Sequence, residues 1–229
     1  MISQELLDRI MDMVPDYQTF MTVDEMDESS KRLAAAYPDV VELFEAGRSR
    51  GGHPIYCLKI GSGSENAICY GTPHPNEPIG SMLLEAFSQI LAEDAQVREA
   101  LDYTWYIIKA WDVDGTRLNE PWFKGPFGIA NYVRHFFRPA PTRQVDWTFP
   151  LHYKNVHFED TIPETKALQD LIDRLNPKFL YSLHNSAFGG VYWYVTHPFE
   201  EEFYQGLRDV AAKNGLPVDL GEPEAPYIT

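Results

Sequence analysis

The sequence predicts an α/β fold, a three-layer α/β/α sandwich with helices on both sides of a mixed sheet. Three observations carry this. Strand-like and helix-like stretches alternate along the chain. Residues 103–110 and 179–183 are apolar on successive positions, as in strands covered on both faces. Two apolar runs separated by a short glycine turn, at 54–60 and 67–70, favour antiparallel pairing early in the chain, with the later strands parallel.

The elements follow in order. Residues 3–13 place Leu6, Leu7, Ile10 and Met11 at helical spacing, and Pro15 ends that helix. A second helix starts at Thr22-Val23-Asp24-Glu25, capped by Thr22 or Asp24, and runs to Tyr37 before Pro38. Residues 40–44 read as a strand, 47–52 as a turn, and 54–60 as the next strand. The Gly61-Ser62-Gly63-Ser64 turn joins it to 67–70 as a hairpin. The helix at 78–91 is expected to use Ile79, Met82, Leu83, Ala86, Phe87 and Ile90 as its apolar positions. Pro78 suits its first turn, where the missing N–H has no helical partner.

After the strand at 103–110, Asp112-Val113-Asp114-Gly115 reads as a turn. Residues 116–153 lack periodicity and read as a cleft-lining or surface loop with one short helix near 131–137. Residues 163–175 form a helix with Leu168, Leu171, Ile172 and Leu175 inward. A central strand follows at 179–183 and another at 191–196, where Tyr192 and Tyr194 share a face that lines a groove or packs in the core. A last helix spans 199–214 and Gly215 ends it. No element is evident in 216–229.

At 229 residues with no linker, repeat or low-complexity tract, one domain over 1–229 is expected. The net charge of -15 argues against nucleic acid and anionic membranes as partners. The start lacks a basic region and a long apolar core, and no stretch is suited to crossing a membrane, so a cytoplasmic protein is the default expectation. Cys57 and Cys69 lie in consecutive strand-like runs. Two buried free thiols are favoured over a disulfide, and their spacing does not make a metal pair.

The chemistry concentrates in Gly71-Thr72-Pro73-His74-Pro75-Asn76-Glu77-Pro78. His74 and Glu77 stand three positions apart just after an apolar run. With a histidine from elsewhere they would make a two-histidine, one-carboxylate zinc site with an open position for water. His184, which follows 178–183, is the best third ligand. Both histidines follow strand ends, where ligand sites of such sheets open. The competing reading makes His74 a turn cap and His184 a core histidine.

In order, these residues resemble the zinc carboxypeptidase family. His74-Pro75-Asn76-Glu77 is similar to its His-x-x-Glu motif, and His184 in Ser182-Leu183-His184-Asn185-Ser186 to its strand-end histidine. Asp112-Val113-Asp114-Gly115 keeps the Asp-Gly part of the family's Asn-Pro-Asp-Gly turn, and Gln144-Val145-Asp146 resembles its Gly-Val-Asp step. The resemblance runs from about Tyr17 to about Asn214. It implies a Zn2+ site formed by His74, Glu77 and His184, within a three-layer fold. Asp114 or Asp146 would orient a ligating histidine or hold a loop, and Asn185 would touch substrate or bond backbone.

Where the family has an Asn-Arg pair for the substrate carboxylate, this chain reads Trp147-Thr148-Phe149-Pro150, and a phenyl ring and a hydroxyl cannot replace a guanidinium fork. Arg117 or Lys124 would polarise the scissile carbonyl, and Arg134, Arg138 and Arg143 are further cations able to meet a carboxylate. The family's catalytic glutamate and capping tyrosine lie beyond Thr229, so the general base is expected to be absent, as are the C-terminal strands. The chain reads as a fragment or truncated product. Glu222, Glu224 and Tyr227 are poor substitutes.

The implied function is a zinc-dependent hydrolase that releases a C-terminal residue from a peptide. An amide deacylase acting on N-acyl amino acids and a non-catalytic metal-binding or interaction domain are the alternatives. The implied partner is a peptide or acyl-amino acid, and self-association through the incomplete sheet is a further expectation.

Overall fold

The computed structural model describes residues 3–185 and 189–219. The chain divides into two compact units, residues 1–185 and 186–229.

In the first unit, α1 (Gln4–Asp12) is capped by the Ser3 hydroxyl, and α2 (Val23–Ala36) by a reciprocal pair between Thr22 and Glu25. Strands β1 (Val41–Arg48), β2 (Pro54–Ile60) and β3 (Glu65–Tyr70) follow, then helices α3 (Ile79–Glu93) and α4 (Ala95–Leu101) and strand β4 (Tyr103–Ile108). Next come α5 (Val113–Phe123), α6 (Ile129–His135), strands β5 (Leu151–Tyr153) and β6 (Val156–Phe158), α7 (Pro163–Leu175) and β7 (Phe179–Ser182).

Five described strands form the main sheet in the order β1-β2-β4-β3-β7. β1, β2 and β4 pair antiparallel, whereas β4, β3 and β7 pair in parallel. The mixed sheet is as expected, but the hairpin between β2 and β3 is not: β4 lies between them. A short glycine turn signals only that the chain reverses. It cannot say which strand pairs, and β4, apolar on both faces, takes the interior position.

Side chains alternate between two cores. Ile55, Cys57, Ile68, Tyr70, Tyr106 and Ile108 pack with Leu168 and Leu171 of α7. Leu58, Ile60, Ala67, Cys69, Trp105 and Ile107 pack with Leu84, Ile90 and Leu91 of α3 and Val97 of α4. Helices therefore cover both faces. Cys57 and Cys69 belong to opposite faces and are buried free thiols. Burial raises the thiol of Cys69 to about 12.

Asp112 and β7 also depart from the sequence-based expectation. The turn at Asp112 is the start of α5, with the Asp112 side chain accepting from the Gly115 N–H at 2.9 Å. β7 is not central: it ends the described sheet, and Phe179, Leu180 and Tyr181 are exposed.

In the second unit, α8 (Glu201–Lys213) forms as expected. The strand expected at 191–196 is instead one isolated parallel bridge between Val191 and Val218. The Tyr192 and Tyr194 rings do share a face and meet edge to face, 5.5 Å apart. No helix among the described residues is long and apolar enough to cross a membrane.

Candidate metal centre

Parallel pairing of β3 with β7 brings their carboxyl ends to the same rim of the sheet. The Leu183 N–H donates to the Tyr70 carbonyl at 3.0 Å, which carries the pairing to the residue before His184. The chain leaving β3 stays close to β4. A Cβ on Gly71 would stand 2.8 Å from the Lys109 carbonyl and from Ser81, so only glycine fits there. At Gly80 a Cβ would lie 2.7 Å from that of Leu183, so a second glycine lets α3 approach the segment bearing His184. The Asn185 side chain accepts from the Ile79 N–H at 3.3 Å and caps α3. Asn185 thus takes the backbone-bonding role.

His74, Glu77 and His184 converge, with one ligand atom from each within 4.8 Å of the others. His74 Nδ1 is 2.8 Å from Glu77 Oε1, and His184 Nδ1 is 3.0 Å from Glu77 Oε2. The two rings meet edge to face at 4.7 Å. His74 and Glu77 are buried, at 3% and 5% exposure, so this carboxylate is held among donors rather than in water.

Each imidazole is also held from behind. His74 Nε2 is 3.0 Å from Asp146 Oδ2, and His184 Nε2 is 2.9 Å from the Ser182 hydroxyl. Outer partners of this kind fix the ring and leave the opposite nitrogen for a metal. Tetrahedral zinc with bonds of 2.0–2.2 Å sets its ligand atoms roughly 3.4 Å apart. The two nitrogen–oxygen spacings, 2.8 and 3.0 Å, lie about half an ångström inside that, and nitrogen and carboxylate donors suit zinc. The residues therefore fit the ion.

Charge follows the same geometry. Burial works against a charged His74, but its bonds to Asp146 and Glu77 prevail and raise it to about 9. Burial likewise opposes ionisation of Glu77, yet His184 and His74 hold it down to about 2. Glu77 is thus an anion throughout the physiological range.

Arg138 reaches the same cluster. Its Nη1 donates to Glu77 Oε1 at 3.3 Å and its Nη2 to Gln144 Oε1 at 3.3 Å. Nη2 also lies 3.0 Å from His74 Nε2. That nitrogen cannot both donate to Asp146 and accept from Arg138. We assign its proton to the Asp146 side, because a carboxylate is the stronger acceptor, and Arg138 then bonds to Glu77 and Gln144.

The other cations lie elsewhere. Arg117 pairs with Asp24 at 2.6 Å and Lys124 with Glu25 at 2.5 Å, both at α2. Asp114 holds the β1–β2 turn through Ser49, Gly51 and His53. Trp147 is exposed, and the Thr148 hydroxyl is buried against Thr165, so neither offers a cation for a substrate carboxylate. Apart from Glu77, the carboxylate touching the cluster among the described residues is Asp146, already bound to His74, and no general base is identified. Glu222, Glu224 and Tyr227 lie outside the described residues.

Arg138 was one of several cations in an aperiodic segment, with nothing in the sequence to single it out. The nearest signal was its position eight residues before Asp146.

A family model described as zinc carboxypeptidase matches residues 26–215. Zinc carboxypeptidase A 1 of Anopheles gambiae is 29% identical over 126 residues, covering 49% of this chain and 29% of that protein. The chain thus spans less than a third of that relative's length. Two solved structures resemble it in fold at 17% identity. Bovine thrombin-activatable fibrinolysis inhibitor, solved in complex with tick carboxypeptidase inhibitor, superposes with a TM-score of 0.55 over 86% of this chain and 71% of that one. Carboxypeptidase A of Helicoverpa armigera gives 0.57 over 82% and 54%.

The family match also corrects the cytoplasmic expectation, since zinc carboxypeptidases are characteristically secreted enzymes. That expectation rested on the composition of the first residues and on the lack of a membrane-crossing stretch, neither of which fixes where a protein resides. With a family match over most of its length and a His-Glu-His cluster built for zinc, this chain belongs to the zinc carboxypeptidase family.

Proposed function

We propose that the protein is a zinc-dependent hydrolase of the carboxypeptidase type, with His74, Glu77 and His184 as the metal ligands and a peptide as substrate. The observation that carries this is the convergence of two Nδ1 atoms on one buried carboxylate, each imidazole held from behind. The family match across 26–215 spans both compact units and supports treating 1–229 as one carboxypeptidase-like domain.

Bound zinc supplies a Lewis acid that acidifies water and polarises a carbonyl oxygen. The chain's residues do the positioning. Asp146 keeps the proton of His74 on Nε2, so that Nδ1 faces inward. Ser182 does the same for His184. Arg138, steadied by Gln144, presents N–H donors beside the cluster and takes the carbonyl-polarising role first considered for Arg117 or Lys124.

A metal-binding domain without hydrolysis is the second reading, favoured by the lack of an identified general base among the described residues. The exposed Phe179, Leu180 and Tyr181 support self-association along β7.

Elemental analysis joined to a hydrolysis assay tests the reading. One zinc per chain is expected, falling to background in Glu77→Ala, with release of the terminal residue from N-blocked dipeptides. Unchanged zinc in that variant removes Glu77 from the ligand set. Full zinc without turnover selects the non-catalytic reading. Turnover of N-acyl amino acids alone selects a deacylase.

A further inference from the structure

Arg138 also lines a cavity of about 460 Å³ with Arg50, Arg143, Leu118, Phe137 and Pro139. That volume falls within the range of small-ligand sites. Three guanidinium groups, of Arg50, Arg138 and Arg143, line it together with the carboxyls of Asp112 and Asp114.

The charges can be followed one by one. Arg50 is paired with the buried Glu164 at 3.1 Å and donates to the Arg143 carbonyl. Arg138 is engaged with Glu77 and Gln144. Asp112 and Asp114 also border the cavity. Asp114 is already taken by Ser49, Gly51 and His53, and Asp112 is only 1% exposed. The Arg143 side chain, in contrast, has no hydrogen bond or ion pair among the described residues, and it is exposed. Among the described residues Arg143 is therefore the cation of this cavity left without a side-chain partner, matched to one negative charge. The guanidinium fork suits a carboxylate, while Leu118, Phe137 and Pro139 offer apolar walls for a short aliphatic stem.

We propose that this cavity selects substrates with an acidic side chain of the glutamate type, Arg143 being the specificity-determining residue. The assignment relies on the hydrolase reading only in calling the ligand a substrate. Recognition itself needs no turnover and is read by binding.

N-acetyl-L-glutamate and N-acetyl-L-glutamine share shape and α-carboxylate, so the difference between them reports the side-chain charge alone. Both are titrated calorimetrically into the zinc-loaded and zinc-free protein. The glutamate probe is expected to bind about tenfold more tightly, the worth of one charge-assisted contact. Arg143→Gln should shrink that ratio to about twofold or less. Leu118→Glu, which adds a like charge to the wall, should do the same. Equal binding of the two probes, no binding of either, or a preference surviving both substitutions overturns the proposal. A preference retained by a protein that takes up no zinc leaves this inference standing while the hydrolase reading falls.

Discussion

Asp146 illustrates how one side chain sets the chemistry of another. It touches His74 at Nε2, and it determines which imidazole nitrogen faces Glu77. Asp146→Asn keeps the shape but loses the charge that fixes the tautomer. We expect zinc affinity to fall about 10–100-fold in competition with a chromophoric chelator, with the fold unchanged by circular dichroism. Asp112 supports a prediction about pH. Burial raises its carboxyl to about 6 from 3.8, against the opposing pull of the Gly115 N–H and Arg50. The folded state therefore keeps a proton that the unfolded state releases. Stability from this group is full below pH 4, declines as pH rises towards 6, and is lost above it. Asp112→Asn should flatten that slope, worth on the order of 2–3 kcal/mol across the window, in denaturant titrations at successive pH values. The ligands were legible from residue type, because few side chains hold zinc and His74, Glu77 and His184 all stood after strand-like runs. Arg138 was not, because its place depends on how an aperiodic loop folds back over the site.

At the scale of elements, α3 is joined by a buried ion pair to Lys109, the residue that follows β4. Lys109 Nζ lies 2.7 Å from Glu85 Oε2, and Ser29 and Gln89 also bond to Glu85. Burial pulls the lysine below its usual range even though Glu85 opposes this. Lys109→Met alone leaves Glu85 charged and unpaired, and should cost about 3–5 kcal/mol by chemical denaturation. Replacing both, with Glu85→Leu added, should recover most of that loss. The same elements show where sequence patterns run out. α7 and β2 followed directly from periodicity and were found at the expected bounds. α5 was hidden because Asp112 accepting from Gly115 makes either a turn or a helix cap, and Pro121 lies inside the helix. The place of β4 between β2 and β3 depends on contacts far apart in sequence, which local turn chemistry does not encode.

Across the whole molecule, the mixed sheet and its two cores form a platform whose carboxyl rim carries the metal cluster. Zinc bound there should stabilise the folded protein by mass action, by about 2.7 kcal/mol at a free concentration one hundred times Kd. Thermal melts with zinc and with a chelator check this, and the gain should vanish in His184→Ala. At the same scale, a monomer by light scattering at all accessible concentrations would contradict self-association along β7. The claim on which the rest depends is that His74, Glu77 and His184 hold one zinc ion together. X-ray absorption at the zinc edge of the loaded protein tests it most directly. Two imidazole nitrogens and carboxylate oxygen are expected at about 2.0–2.2 Å, with one imidazole lost in His184→Ala. Sulfur in the coordination sphere, or a spectrum unaltered by that substitution, would contradict it.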